Sequence, residues 1–312
     1  MPTPRDVLTP DALAMLQAVA HAGSFAAAAR ELGLVPSAVT YRIRQIEDAL
    51  DVLLFDRSSR QARLTDAGTE LLREGGRLLL EIDAVANRVK RVATGWESQL
   101  TIAVDTVVSQ STMMELAQAF FELAPTTRVR LREESLSGTL EALTSGQADL
   151  AVGLVLEPGT SAGIQSNPLG DLPFLYVVAP HHPLAKVRGT IKDEVIQKHR
   201  AIAVADSVQH GAAITRGLLA GQDVLTVGSM RAKLDAQLRG LGGGFVPEPM
   251  ARPFVESGRL VAKEVHRATR PVRLSYAWRI SSAPGRALQW WLGQLESPAT
   301  RRALLEAHRM PQ

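Results

Sequence analysis

Ala22-Gly-Ser-Phe-Ala-Ala-Ala-Ala-Arg-Glu-Leu32, followed past Gly33 by Pro36-Ser-Ala-Val-Thr-Tyr-Arg-Ile-Arg-Gln-Ile-Glu47, decides how this chain begins. Ser24 is placed to cap a helix running from Phe25 to Leu32, and Gly33 is placed to end it. The four alanines Ala26 to Ala29 let a neighbouring helix approach closely. A further helix starts near Pro36 or Ser37 and runs to about Leu50, its apolar face marked by Val39, Ile43, Ile46 and Leu50. Upstream, Thr9 caps a helix opened by Pro10 and Asp11, whose Leu13, Leu16, Val19 and Ala20 share one face until Gly23. Two helices, a tight glycine turn and an amphipathic third helix form a helix-turn-helix pattern.

Working outward, Leu53-Leu54-Phe55 and Ala62-Arg63-Leu64 flank a polar stretch, which predicts a small β-hairpin. Thr65 to Gly68 then starts a helix that continues to about Ala93. Along it Leu71, Gly75, Leu78, Ile82, Val85, Val89 and Val92 alternate spacings of four and three, a heptad seam. At 1.5 Å per residue this helix is roughly 40 Å long, and a regular seam of that length favours pairing with a second copy over packing on its own domain.

From Gln99 the pattern becomes α/β. Strands are expected at 100–104, 129–131, 149–153, 174–178, 201–204, 224–227, 244–246 and 273–278, with helices between them, and the alternation implies parallel βαβ units. The segment before Phe174, rich in Gly, Pro and Asn, reads as a loop. The chain divides accordingly into 1–66, 67–98 and 99–312, the last with one lobe from about 99–166 plus 271–312 and another from about 167–270.

Composition narrows the function classes. The chain has 312 residues, enough for two or three domains, and no cysteine, which excludes disulfides, thiolate metal sites and thiol nucleophiles. No apolar run approaches a membrane span and no signal peptide is evident, so a cytoplasmic protein with no membrane partner is expected. The net charge of +3 is too small to mark a nucleic-acid binder, and its distribution says more. Residues 1–66 carry −1, 67–98 are neutral, 99–258 carry −3 and 259–312 carry +7. The basic C-terminal segment reads as subunit contact and solvated helix surface rather than as a DNA site.

The helix-turn-helix stretch, Leu54-Phe-Asp-Arg-Ser-Ser-Arg60 and Leu64-Thr-Asp-Ala-Gly68 together resemble the LysR-type transcriptional regulators. Gly146-Gln-Ala-Asp-Leu-Ala-Val152, Val178-Ala-Pro-His-His-Pro-Leu-Ala185 and Gly240-Leu-Gly-Gly-Gly-Phe-Val-Pro247 extend the likeness in collinear order over nearly the whole chain. Ser37 to Tyr41 is similar to the YhaJ-like subgroup. The resemblance implies an N-terminal winged helix-turn-helix domain, a long linker helix and a two-lobed α/β effector domain like the periplasmic binding proteins. It implies as partners operator or promoter double-stranded DNA, a small-molecule effector that is an aromatic or organic-acid metabolite, and RNA polymerase. It also implies a homodimer through the linker helix and a homotetramer through the lobes; from the residues themselves, no cofactor and no metal are expected.

In a winged helix the start of the third helix enters the major groove and the wing follows the minor groove. The expected DNA contacts are therefore Ser24, Ser37, Thr40, Tyr41 and Arg44, with Arg57 and Arg60 on the wing. Relatives that open this helix with Ser-Gln-Pro touch a base with the Gln; Val35, Pro36 and Ser37 stand there in this chain, so that contact does not carry over. Leu71, Leu78, Ile82, Val85 and Val89 are the expected dimerisation residues. Ligands of open α/β sheets sit at the carboxyl ends of strands, which points to Thr106, Ser109, Ser135, Ser137 and Ser207 as hydrogen-bonding effector contacts. Asp105 argues against an anion at that place and for a phenolic or amine proton.

Two rival readings fare worse. For an enzyme, Gly240-Leu-Gly-Gly-Gly244 lacks the last glycine of a dinucleotide loop, His181-His182 has no carboxylate companion pattern, and no catalytic motif is present. For a solute-binding protein, a complete winged helix at residues 1–66 has no purpose.

Overall fold

The computed structural model describes residues 3–56, 62–123, 127–156, 163–209, 214–267, 270–280 and 284–308. The chain forms two compact units, residues 1–89 and 90–312.

The first unit opens with the short helix α1 (Pro4–Val7), then α2 (Pro10–Ala22), α3 (Phe25–Glu31) and α4 (Pro36–Leu50). The expected caps are present: Thr9 accepts from the amide of Ala12 at 3.3 Å and Ser24 from that of Ala27 at 3.1 Å. Gly23 and Gly33 take the left-handed conformation that ends each helix. Ala28 and Ala29 are wholly buried with Leu16, Val19, Val39, Ile43 and Ile46, so the small residues of α3 let three helices share one core. The wing strands β1 (Phe55–Asp56) and β2 (Arg63–Leu64) pair antiparallel. Glu47, buried on α4, accepts the amides of Leu54 at 2.8 Å and Phe55 at 3.4 Å and so ties the wing to the helices.

Helix α5 (Asp66–Thr94) begins against this core. A Cβ on Gly68 would lie 2.1 Å from the Leu54 carbonyl oxygen, so only glycine permits that approach. Leu71 packs into the same core and Gly75 lies against Leu13. The first two seam positions therefore face their own unit, a correction to the reading of Leu71 as a free dimerisation residue. The rest of the seam, from Leu78 onward, is exposed.

In the second unit, the first lobe is built on β3 (Gln99–Asp105), α6 (Gln110–Leu123), β4 (Arg128–Glu134), α7 (Gly138–Thr144), β5 (Leu150–Leu154) and β6 (Ile164–Leu172). The second lobe holds β7 (Phe174–Val178), α8 (Asp193–Ile196), β8 (Ala201–Val204), β9 (Val224–Val227), α9 (Met230–Leu238), β10 (Gly244–Pro247), α10 (Glu248–Glu256) and β11 (Val261–Lys263). The chain then returns to the first lobe with β12 (Val272–Arg279), α11 (Arg286–Glu296) and α12 (Pro298–Glu306). The first sheet has the order β4-β3-β5-β12-β6, and Leu100, Ile102, Phe120, Leu150, Tyr276 and Trp291 fill its core. In the second lobe β7 lies between β10 and β11, and a parallel bridge from Ala201 to Gly243 brings β8 and β9 alongside.

Three expectations change. The Gly-, Pro- and Asn-rich segment before Phe174 is the edge strand β6, paired over its whole length with β12. Pro168 is tolerated because an edge strand leaves one row of backbone groups unpaired. The expected lobe boundary at 166/167 consequently falls inside β6, and the crossing is at Pro173. Among the described strands of the second unit, β3, β4 and β5, and β8 with β9, pair in parallel, whereas β12, β6, β7, β10 and β11 pair antiparallel because the chain leaves the first lobe and comes back.

Candidate DNA-reading surface and ligand cavity

Helix α4 buries Val39, Ile43 and Ile46 and leaves Ser37, Tyr41 and Arg44 exposed on its other side. Thr40 is half-buried and its hydroxyl donates to the Pro36 carbonyl at 2.9 Å. The Tyr41 hydroxyl accepts from Gln45 at 3.1 Å. Ser24 is engaged as the α3 cap. Val35, 62% exposed, precedes the helix as its N-cap and makes no side-chain cap bond. Arg57 and Arg60 lie outside the described residues; Arg63, on β2, is exposed.

The second unit contains a cavity of about 630 Å³, lined from both lobes. That volume suits a small organic molecule. The first lobe contributes Asp105, Val107, Leu136, Ser137 and Leu140 among others; the second contributes Phe174, Val204, Met230, Lys233 and Phe245, with Arg216, Arg267 and Arg270 adding guanidinium groups.

Of the five expected hydroxyl contacts only Ser137 lines this space. Ser109 is fully buried and its hydroxyl donates to the Ala307 carbonyl at 2.7 Å, holding the end of α12. Ser207 accepts from the Ser135 amide at 2.9 Å and donates to Glu134 at 2.6 Å, and the Thr106 and Ser135 hydroxyls lie 3.3 Å apart. Ser109 also caps α6, Ser207 joins the lobes, and Thr106 and Ser135 pair with each other inside the first lobe, so strand-end position alone did not place these four on the cavity lining.

The lobes meet closely here. A Cβ on Gly138 would fall 1.9 Å from the Ser207 oxygen. Asp206 of the second lobe caps α7 of the first, accepting the amides of Ser137 at 3.1 Å and Gly138 at 3.2 Å and the Ser137 hydroxyl. Burial pushes its carboxyl up, but the Ser137 hydroxyl with the amides of Ile214, Val208 and Gly138 outweighs that and holds it below the ordinary range.

Asp105 behaves oppositely. Burial pushes its pKa up to about 7, although the amides of Val107 at 3.0 Å and Leu136 at 3.1 Å and the Thr139 hydroxyl at 3.2 Å donate to it. Burial thus leaves the carboxyl largely protonated below about pH 7, with its oxygens engaged by the protein, which weakens the reason for expecting it to repel an anionic ligand or to bind an amine. The basic cavity residues went unrecognised in the sequence. The signal that contained two of them, Arg267 and Arg270, was the +7 of residues 259–312. Other arginines of that segment are spent on ion pairs, Arg273 with Asp171 and Arg279 with Asp149.

Residues 10–69 match the model of the bacterial regulatory helix-turn-helix proteins of the lysR family, and residues 93–298 match the LysR substrate binding domain. The chain is 36% identical to the HTH-type transcriptional regulator YeeY of Escherichia coli strain K12, over 91% of this chain and 92% of that protein. It is 37% identical to the HTH-type transcriptional regulator YhaJ of Escherichia coli O157:H7, over 92% and 96%. Among solved structures, full-length CbnR in complex with its target DNA superposes with a TM-score of 0.58 at 19% identity, covering 92% of this chain and 99% of that one. The chain therefore belongs to the LysR family: it is a DNA-binding transcriptional regulator with a C-terminal domain for a small-molecule effector. Among the described residues no single helix is long and apolar enough to cross a membrane.

Proposed function

We propose that residues 1–66 read operator DNA through Ser24, Ser37, Thr40, Tyr41 and Arg44, with Arg57 and Arg60 on the wing. Residues 67–98 pair two copies, residues 99–312 sense an effector, and two dimers join through the C-terminal domains. The protein acts in the cytoplasm by gene regulation rather than turnover, and contact with RNA polymerase is the step by which a promoter-bound copy acts. The observation that carries the effector reading is the cavity lined from both lobes: a molecule held there touches both and favours the lobe arrangement in which its contacts are best. That bias, passed to the linker helices, changes how two winged domains engage their half-sites. Pro36 stands where relatives carry the base-touching amide, and the exposed Val35 before it is an apolar group that supports contact with a thymine methyl rather than a base-edge hydrogen bond.

The test begins with an operator selected from random DNA by the full-length protein. Arg44→Ala and Tyr41→Ala should each weaken binding to it by about tenfold, taking ~1–3 kcal/mol for a good base contact. A chain lacking residues 1–66 should lose site-specific binding altogether. Site-specific binding by that truncated chain would place the DNA surface elsewhere.

A further inference from the structure

Lys233, on α9, is only 6% exposed, yet its ammonium has no hydrogen bond or ion pair among the described residues. It lines the cavity, and its stem passes over Gly244, where a Cβ would sit 3.2 Å from the lysine Cε. Burial pulls its pKa down to about 8, the mark of an ammonium without a counter-charge. A buried cation left unpaired is costly, and proteins retain one where something else supplies the anion.

The surroundings say what that something is. Arg216 and Arg270 also line the cavity and have no ion pair among the described residues. Arg267 is already held by Asp193 at 3.2 Å. Asp105 is the acid on the lining, and it is engaged by the Val107 and Leu136 amides and the Thr139 hydroxyl. At the N-terminus of α7 the carboxylate of Asp206 already accepts the Ser137 and Gly138 amides, which sets a negative group where the first lobe would otherwise receive an anion. Between these ends the walls are Phe174, Phe245, Met230, Leu274, Val204 and Ile214.

We propose that the effector is an organic acid with an apolar, ring-sized body, its carboxylate paired with Lys233 and flanked by Arg216 and Arg270, its body against Phe174, Phe245 and Met230. This rests on reading the cavity as the effector site. It goes further by fixing the charge of the ligand and the lobe that receives it. The acid head belongs to the second lobe, and the apolar body reaches the first through Leu136 and Leu140.

The test uses the full-length protein with benzoate, phenylacetate and indole-3-acetate, their neutral primary amides, and citrate as an acid without an apolar body. Melting and calorimetric titration are expected to show stabilisation by at least one aromatic acid and none by its amide or by citrate. Lys233→Met should cut the affinity for that acid at least tenfold while raising the melting temperature of the free protein, because the unpaired ammonium is gone. Equal binding of acid and amide, or no binding by any of the acids, overturns the proposal. So does a Lys233→Met protein that melts lower and binds the acid unchanged, which would make Lys233 structural. Leu274→Trp, which fills the cavity from the first lobe, separates the two readings. Acid binding that survives it refutes the cavity as the site, whereas amide binding abolished by it keeps the cavity and refutes only the acid.

Discussion

Replacing Ile82 and Val89 on α5 by lysine tests the pairing of two copies. On one chain Leu78, Ile82, Val85, Val89 and Val92 are 54, 47, 46, 65 and 86% exposed, although their spacing places them on one stripe of the helix. Fully burying such a side chain stabilises by ~2 kcal/mol, so the half still exposed is worth ~1 kcal/mol on pairing. Five residues on each of two chains then contribute about 10 kcal/mol, a sum comparable to the ~4–15 kcal/mol that association costs in lost freedom. The double substitution removes four of those contributions, about 4 kcal/mol, and weakens dimerisation by about a thousandfold. Lysine is a good helix former, so α5 itself persists. Sedimentation equilibrium from nanomolar to micromolar concentration reads the dissociation constant directly, and operator binding should lose its dependence on two half-sites. An unchanged dissociation constant, with helix content intact by circular dichroism, refutes the seam as the interface.

The other expectations concern single sites. Gly68→Ala forces a Cβ to within 2.1 Å of the Leu54 carbonyl, so the start of α5 must shift; the first unit should lose ~1–3 kcal/mol by thermal melting together with operator affinity, and an unchanged melt would rule out the clash. Glu47→Ala strands the buried amides of Leu54 and Phe55 and should cost ~1–3 kcal/mol, read as faster hydrogen exchange at those two amides. Asp105 has its carboxyl pKa raised to about 7 in the folded chain, so the stability it contributes is full at low pH and is lost as pH rises to about 7. Asp105→Asn should therefore cost ~3 kcal/mol more at pH 5 than at pH 8, at ~1.4 kcal/mol per pH unit. Urea unfolding followed by tryptophan fluorescence isolates the effect, since Trp96, Trp278, Trp290 and Trp291 all belong to the second unit. An equal cost at both pH values would show that the carboxyl stays charged in the folded state.

What the sequence determined by itself was everything governed by neighbours along the chain. Caps at Thr9 and Ser24, stops at Gly23 and Gly33, and the apolar rows of α4 and α5 are set within one or two turns, so the helix-turn-helix and the long helix were legible. The buried strands β3, β5, β7 and β8 were legible for the same reason, as short continuous apolar runs. Tertiary structure alone decided β6, whose Asn167, Pro168 and Gly170 read as a loop until a return strand from 272–279 gave them hydrogen bonds. It decided that Leu71 and Gly75 belong to their own unit's core while Leu78 to Val92 remain free, because a heptad row does not say which partner covers each turn. It also decided the cavity. Hydroxyls at strand ends cap helices and bind ligands with the same chemistry, and only the facing lobe reveals which task each one has. Lys233, Arg216, Arg267 and Arg270 stand up to 54 residues apart and meet only where two lobes close over a shared space, and that meeting gives the site its charge.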